Sequence, residues 1–125
     1  MGDWIAIVDD DMANLKVAGM ILSRNNWKAA GMKSGKALLD YVRDNGTPKL
    51  VLLDVRMPEM DGIETMQKLR ELEQEKGWPA TPVLFLSGDE NPETKEKCIA
   101  LGAIGFVMKP FIAGDLIESV KKAIS

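Results

Sequence analysis

Five short runs of mainly apolar residues punctuate the chain: Trp4–Val8, Trp27–Met32, Lys49–Leu53, Val83–Ser87 and Gly105–Met108. Several are apolar at nearly every position, which suits strands covered on both faces, and longer stretches of helical spacing separate them. The first helix is predicted over Met12–Asn25, burying Leu15, Ala18 and Leu22, with Asp11 capping its first turn. The second spans Lys36–Asp44 and turns Leu38, Leu39 and Val42 inward. A third starts near Gly62 and carries Ile63, Met66 and Leu69. It runs into Glu71–Lys76, a charged tail expected to be solvated, before the Gly77-Trp78-Pro79 break. Asn91 and Pro92 supply a cap and a first-turn proline for a fourth helix, which ends near Leu101 with Gly102 just beyond it. Leu116, Ile117, Val120 and Ile124 form the inner stripe of a fifth. Strands alternating with helices over short loops give an α/β architecture: a (βα)5 doubly wound fold with right-handed crossovers.

With 125 residues, 46% of them hydrophobic, the chain is expected to form one domain over residues 1–125. Its 16 basic and 19 acidic residues create no excess positive field, so direct binding to nucleic acid or to an anionic membrane is not expected. Histidine is absent, which removes Ser/His and Cys/His nucleophile pairs and imidazole-bound zinc. Cys98 is the single cysteine and has no partner for an internal disulfide. No apolar run approaches the roughly 20 residues of a membrane span and no signal-peptide pattern opens the chain, so the expected location is cytoplasmic.

In an open α/β sheet, ligands bind outside the carboxyl ends of the strands. Polar residues gather at that edge: Asp9 and Asp10 after the first strand, Asp54 at the end of the third, Ser87 at the end of the fourth and Lys109 after the fifth. Taken singly, each has an ordinary reading as a loop or cap residue. Together, three carboxylates in one crevice repel unless protonated or bridged by a cation. Oxygen ligands without thiolate or imidazole favour a hard ion, Mg²⁺ first and Mn²⁺ second. Lys109 adds a positive charge, and the Ser87 hydroxyl can hydrogen-bond a phosphoryl oxygen. A carboxylate, a divalent ion, an ammonium and a hydroxyl are the parts that phosphoryl transfer onto Asp54 requires.

Other phosphate and metal motifs fail on inspection. The stretch from Gly31 to Lys36 is one residue short of a phosphate-binding loop and has Ala37 where a hydroxyl should meet the ion, so it reads as the turn into the second helix. Asp9-Asp10-Asp11 is not a calcium loop, because Met12 and Ala13 stand where a ligand and a glycine are needed.

The segments Ile7-Val8-Asp9-Asp10-Asp11, Leu53-Asp54 through Asp61-Gly62, Leu86-Ser87-Gly88 and Lys109-Pro110-Phe111 resemble the response-regulator receiver family of two-component signalling, in order and over essentially the whole chain. The resemblance implies strand order 2-1-3-4-5, which places the first and third strands side by side. It also implies that Asp54 accepts a phosphoryl group from a sensor histidine kinase or a histidine phosphotransfer protein. Asp10, Asp54 and the backbone carbonyl of Arg56 would hold Mg²⁺, with Asp9 acting through a metal-bound water. Ser87 and Lys109 fall on the family's hydroxyl and lysine positions, and the bond from Lys109 to Pro110 is usually cis in relatives. Phe106 falls on the aromatic switch position and is also readable as a plain core aromatic. Phosphorylation would reshape the face of the fourth helix, fifth strand and fifth helix, which would act on a downstream output or support a homodimer.

Arg56 and Asp89 occupy positions that in relatives border the approach of water to the acyl phosphate, and the two are expected to pair and slow hydrolysis. Two rival functions are kept. An aspartate-nucleophile phosphatase would need a second Asp where Arg56 stands, a general acid and a cap. An interaction module that is never phosphorylated would have no need of Asp9, Asp10, Asp54, Ser87 and Lys109 together.

Overall fold

The computed structural model describes residues 2–88 and 90–124. Its elements are β1 Ile5–Val8, α1 Met12–Arg24, β2 Ala29–Met32, α2 Gly35–Asn45, β3 Leu50–Asp54, α3 Gly62–Lys76, β4 Val83–Ser87, α4 Pro92–Ala100, β5 Gly105–Met108 and α5 Ala113–Ile124. The five strands are parallel and lie in the order β2-β1-β3-β4-β5, as the resemblance implied. Boundaries move by a residue or two: Trp4 and Trp27 precede their strands, Asp54 belongs to β3, and Asn25 is the C-cap of α1.

Alternation along the strands divides the core. Ile5 and Ile7 of β1, Leu50 and Leu52 of β3, and Leu84 and Leu86 of β4 pack with Ala18 and Leu22 of α1 and Leu116 and Val120 of α5. Ala6, Val8, Val51, Leu53, Val83 and Phe85 pack with residues of α2, α3 and α4. Each buried Val, Leu, Ile or Phe side chain among these contributes about 1.5–3 kcal/mol relative to exposure, so the sheet is a rigid base for whatever its carboxyl edge carries. Among the described residues no helix is long and apolar enough to cross a membrane.

Helix starts are fixed by side-chain caps. Asp11 accepts hydrogen bonds from the backbone of Ala13 and Asn14, and Ser34, Asp61 and Asn91 cap α2, α3 and α4 in the same way. Three of these four caps stand just beyond the strand ends that carry the polar residues, and they hold the chain as it leaves them.

The tail of α3 departs from the solvated reading. Leu72 and Glu73 are buried, and the Glu73 carboxylate is satisfied by Arg70 Nη1 at 2.9 Å and by the Thr81 backbone N–H at 2.7 Å. Arg70 also donates to the carbonyls of Thr81 and Leu101, so a buried ion pair ties α3 to the start of β4 and the end of α4. Glu73 lies seven residues after Met66, on the stripe that buries Met66 and Leu69, and helix geometry carries it inward.

Gly62 opens α3 against the end of β3, where its N–H donates to the Val55 carbonyl at 2.8 Å. A Cβ at this position would run into the Asp54 carbonyl oxygen and crowd Phe85 and the Val55 backbone. Gly62→Ala is therefore expected to cost about 1–3 kcal/mol in urea unfolding, because backbone rather than a flexible side chain must give way.

Candidate functional site

Asp9 and Asp54 continue, at the carboxyl ends of β1 and β3, the alternation that buries Ile5 and Ile7 and Leu50 and Leu52. Both carboxylates are consequently inside the protein, at 0% and 4% exposure, while Asp10, the next residue after Asp9, is exposed. Pairing of Val8 with Leu53 sets Asp9 and Asp54 off neighbouring strands at adjacent levels.

Each oxygen of Asp9 is held. Oδ1 accepts the Asp11 N–H at 3.0 Å, and Oδ2 accepts Asn14 Nδ2 at 3.1 Å and Lys109 Nζ at 3.5 Å. Asp54 Oδ1 accepts Lys109 Nζ at 3.0 Å and the Arg56 N–H at 3.4 Å. Lys109 follows β5, its N–H bonds the Ser87 carbonyl at 2.8 Å, and its peptide bond to Pro110 is cis, the isomer the resemblance led us to expect.

Burial pushes the Asp54 carboxyl up to about 6 and the Asp9 charge adds to this, against the opposing pull of the Lys109 ammonium. Burial works against the charged form of Lys109 as well, but its hydrogen bond to Asp54 and the charges of Asp54 and Asp9 outweigh that cost, and its pKa is raised. One ammonium thus serves two buried carboxylates.

Asp9, Asp10 and Asp54 can each offer an oxygen, and the three atoms lie within 4.8 Å of one another. This all-oxygen set, with more negative charge than Lys109 balances, fits a hard divalent cation. Beside it, Ser87 ends β4 with its hydroxyl buried and without a hydrogen-bond partner. A buried donor left unmade is costly, which makes Ser87 Oγ ready to meet an incoming acceptor. Asp54, Arg56, Gly88, Glu90 and Lys109 line an open cleft of about 340 Å³ at this edge.

Of the residues singled out in the sequence, Asp9, Asp10, Asp54, Ser87 and Lys109 share this edge. Phe106 stands apart on β5, half-buried, its ring stacked on Phe85 with centroids 6.2 Å apart and Lys95 Nζ 5.8 Å from its own centroid. Asp89, the expected partner of Arg56, lies outside the described residues. Arg56 Nε donates to Glu90 Oε2 at 3.0 Å. Sequence reasoning did not find Asn14 or Glu90. Neither belongs to a motif; the first turn of α1 brings Asn14 to Asp9, and the loop after β4 brings Glu90 to Arg56.

Comparison with known proteins gives a consistent picture. A family model described as the response regulator receiver domain matches residues 5–121. The chain is 30% identical over 121 residues to hybrid signal transduction histidine kinase M of Dictyostelium discoideum, covering 96% of this chain and 5% of that protein. It is 33% identical over 121 residues to the transcriptional regulatory protein ZraR of Escherichia coli, covering 97% of this chain and 26% of that protein. The chain therefore spans only a minor part of these relatives. Among solved structures it is similar to the Vibrio cholerae chemotaxis protein CheY4, with a TM-score of 0.87, 25% identity and coverage of 98% and 99% of the two chains. It is also similar to a CheY-like receiver domain protein from Methanospirillum hungatei, with a TM-score of 0.86, 26% identity and coverage of 99% and 94%.

Proposed function

The chain belongs to the response regulator receiver family, and we propose that within it Asp54 accepts a phosphoryl group and that the adduct switches the protein's outer face. The observation that carries this reading is the charge arrangement at the sheet edge: a buried carboxylate bonded to Lys109 at 3.0 Å, flanked by Asp9 and Asp10 and adjoining an unpartnered hydroxyl.

A carboxylate whose pKa lies near 6 is largely ionised at pH 7 and is available as a nucleophile. The donor is a phosphohistidine on a sensor histidine kinase or phosphotransfer protein. An Asp54 oxygen forms the new O–P bond as the P–N bond breaks, and the departing imidazole keeps the electron pair and takes up a proton. Asp10, Asp54 and the Arg56 carbonyl would hold Mg²⁺, or Mn²⁺ in its place, with Asp9 acting through a bound water. The ion's contribution is to neutralise charge on the phosphoryl oxygens. Lys109 would move from the carboxylate to a phosphoryl oxygen, and Ser87 would donate its unused hydrogen bond to another. Hydrolysis returns the carboxylate and frees inorganic phosphate when water attacks phosphorus, and Arg56 together with Asp89 would slow it.

Drawing Ser87 toward the phosphoryl group would free space for Phe106 to turn inward, which reshapes the face of α4, β5 and α5. Ile104, Met108 and Ile112 are exposed on or beside β5 and could pack against a downstream output or in a homodimer. The switch is a shift of population between two states, limited by their energy difference in the two phosphorylation states. We read the chain as one receiver unit acting in the cytoplasm.

Intact mass spectrometry after treatment with acetyl phosphate and Mg²⁺ tests this reading. A single labile phosphoryl adduct that requires the divalent ion is expected. An unchanged mass would favour the interaction module, and sustained turnover of phosphate monoesters the phosphatase.

A further inference from the structure

Glu90 is an unusual place for a charge: its side chain is 4% exposed, and its carboxylate is met by the guanidinium of Arg56, itself 73% exposed. A buried carboxylate needs a cation or several donors, and losing its partner is far more costly than losing a surface ion pair. The pair joins two loops that frame the site, the one leaving β3 after Asp54 and the one leaving β4 after Ser87. Arg56 and Glu90 both line the cleft over Asp54 and Lys109, and both also line a neighbouring groove of about 610 Å³ bounded by Met57, Ile63, Thr94 and Lys97. Their ion pair is thus part of the wall between the two.

We propose that Glu90 is a positioning residue that stations Arg56 at the mouth of the cleft, and that a phosphoryl group on Asp54 competes with Glu90 for that guanidinium. The inference rests on the phosphoacceptor reading of Asp54. A phosphoryl group carries more negative charge than a carboxylate and can take a guanidinium in a two-pronged grip. Arg56 begins two residues from Asp54, and its N–H already reaches Asp54 Oδ1. Transfer of the guanidinium leaves Glu90 buried without its cation, so the loop leading into α4 must rearrange. Glu90 thereby opposes phosphoryl binding in the resting protein and couples its arrival to the start of α4.

The test measures binding of beryllofluoride, a non-hydrolysable phosphoryl mimic, to the full chain in saturating Mg²⁺ by titration calorimetry. Glu90→Gln and Glu90→Met keep the volume and remove the charge, and thermal melts establish that each variant is folded. Both should bind the mimic about 3–10-fold more tightly than wild type, the range expected when a competing hydrogen bond of ordinary net strength is removed. Arg56→Ala should bind more weakly. Adding either Glu90 substitution to Arg56→Ala should change nothing further, because the effect runs through the guanidinium. Unchanged affinity in folded Glu90 variants, or the same gain with Arg56 absent, overturns the inference while wild-type binding leaves the phosphoacceptor reading intact. Failure of wild type to bind the mimic overturns both.

Discussion

Asp54→Asn is expected to lose all phosphoryl uptake and yet to be more stable than wild type at neutral pH. The carboxyl titrates near 6 in the folded protein because burial disfavours its charge and Asp9 repels it. In the unfolded chain it titrates at about 3.9. Between these values the folded state binds the extra proton, so the contribution of Asp54 to stability is present below about pH 4 and is lost as the pH rises through 6. A gap of about two pKa units corresponds to roughly 3 kcal/mol as an upper bound. The uncharged amide of the variant would escape this cost, so chemical denaturation in chelator at pH 7 should find Asp54→Asn about 1–3 kcal/mol more stable. The advantage should vanish at about pH 4. Adding Mg²⁺ should stabilise wild type more than the variant and narrow the gap. Equal or lower stability of Asp54→Asn at pH 7 would mean that the carboxylate is not under strain.

Lys109→Met should have the opposite effect. It removes the ammonium that lies 3.0 Å from Asp54 and 3.5 Å from Asp9 and leaves two buried carboxylates facing each other. Stability at pH 7 should fall by about 1–3 kcal/mol, below the cost of breaking a fully buried pair because the cleft is open to water. The loss should shrink as the pH is lowered below about 6, where Asp54 protonates, and Mg²⁺ should recover part of it. Phosphoryl uptake should also slow, since the positive charge proposed to receive the phosphoryl oxygens is gone. A pH-independent loss would instead point to packing of the lysine stem.

These expectations come from residues that the sequence already set at the strand ends. Asp9, Asp10, Asp54, Ser87 and Lys109 were legible because strand ends are marked by where apolar runs stop, and a parallel sheet places all those ends on one edge. The sheet order required the resemblance, since periodicity alone does not say which strand lies beside which. The tail of α3 was misjudged at Glu73 because a run rich in charge looks solvated. The spacing that carries the helix stripe from Met66 to Glu73 outweighs that appearance once Arg70 and the Thr81 N–H are there to meet the carboxylate. Asn14 and Glu90 carried no signal in the sequence. The first takes its meaning from a bond to Asp9 across the start of α1, and the second from an arginine 34 residues away.

The mouth of the site owes its character to the fold. An exposed arginine two residues after the proposed phosphoacceptor is a flexible cation by default, worth about 0–1 kcal/mol in any surface pair. Anchored to a buried carboxylate, it becomes a group with two alternative partners. That is the physical requirement for a switch, because a ligand shifts an equilibrium only through unequal interactions with its states.

The central claim is that Asp54, and no other carboxylate of the cluster, becomes the acyl phosphate. Borohydride reduction of the phosphorylated chain, followed by peptide sequencing in the mass spectrometer, tests this directly. Acyl phosphates are reduced to alcohols, so residue 54 alone should appear as homoserine, in a yield that follows Mg²⁺ and vanishes in Asp54→Asn. Homoserine at position 9 or 10, or at none, would contradict the account.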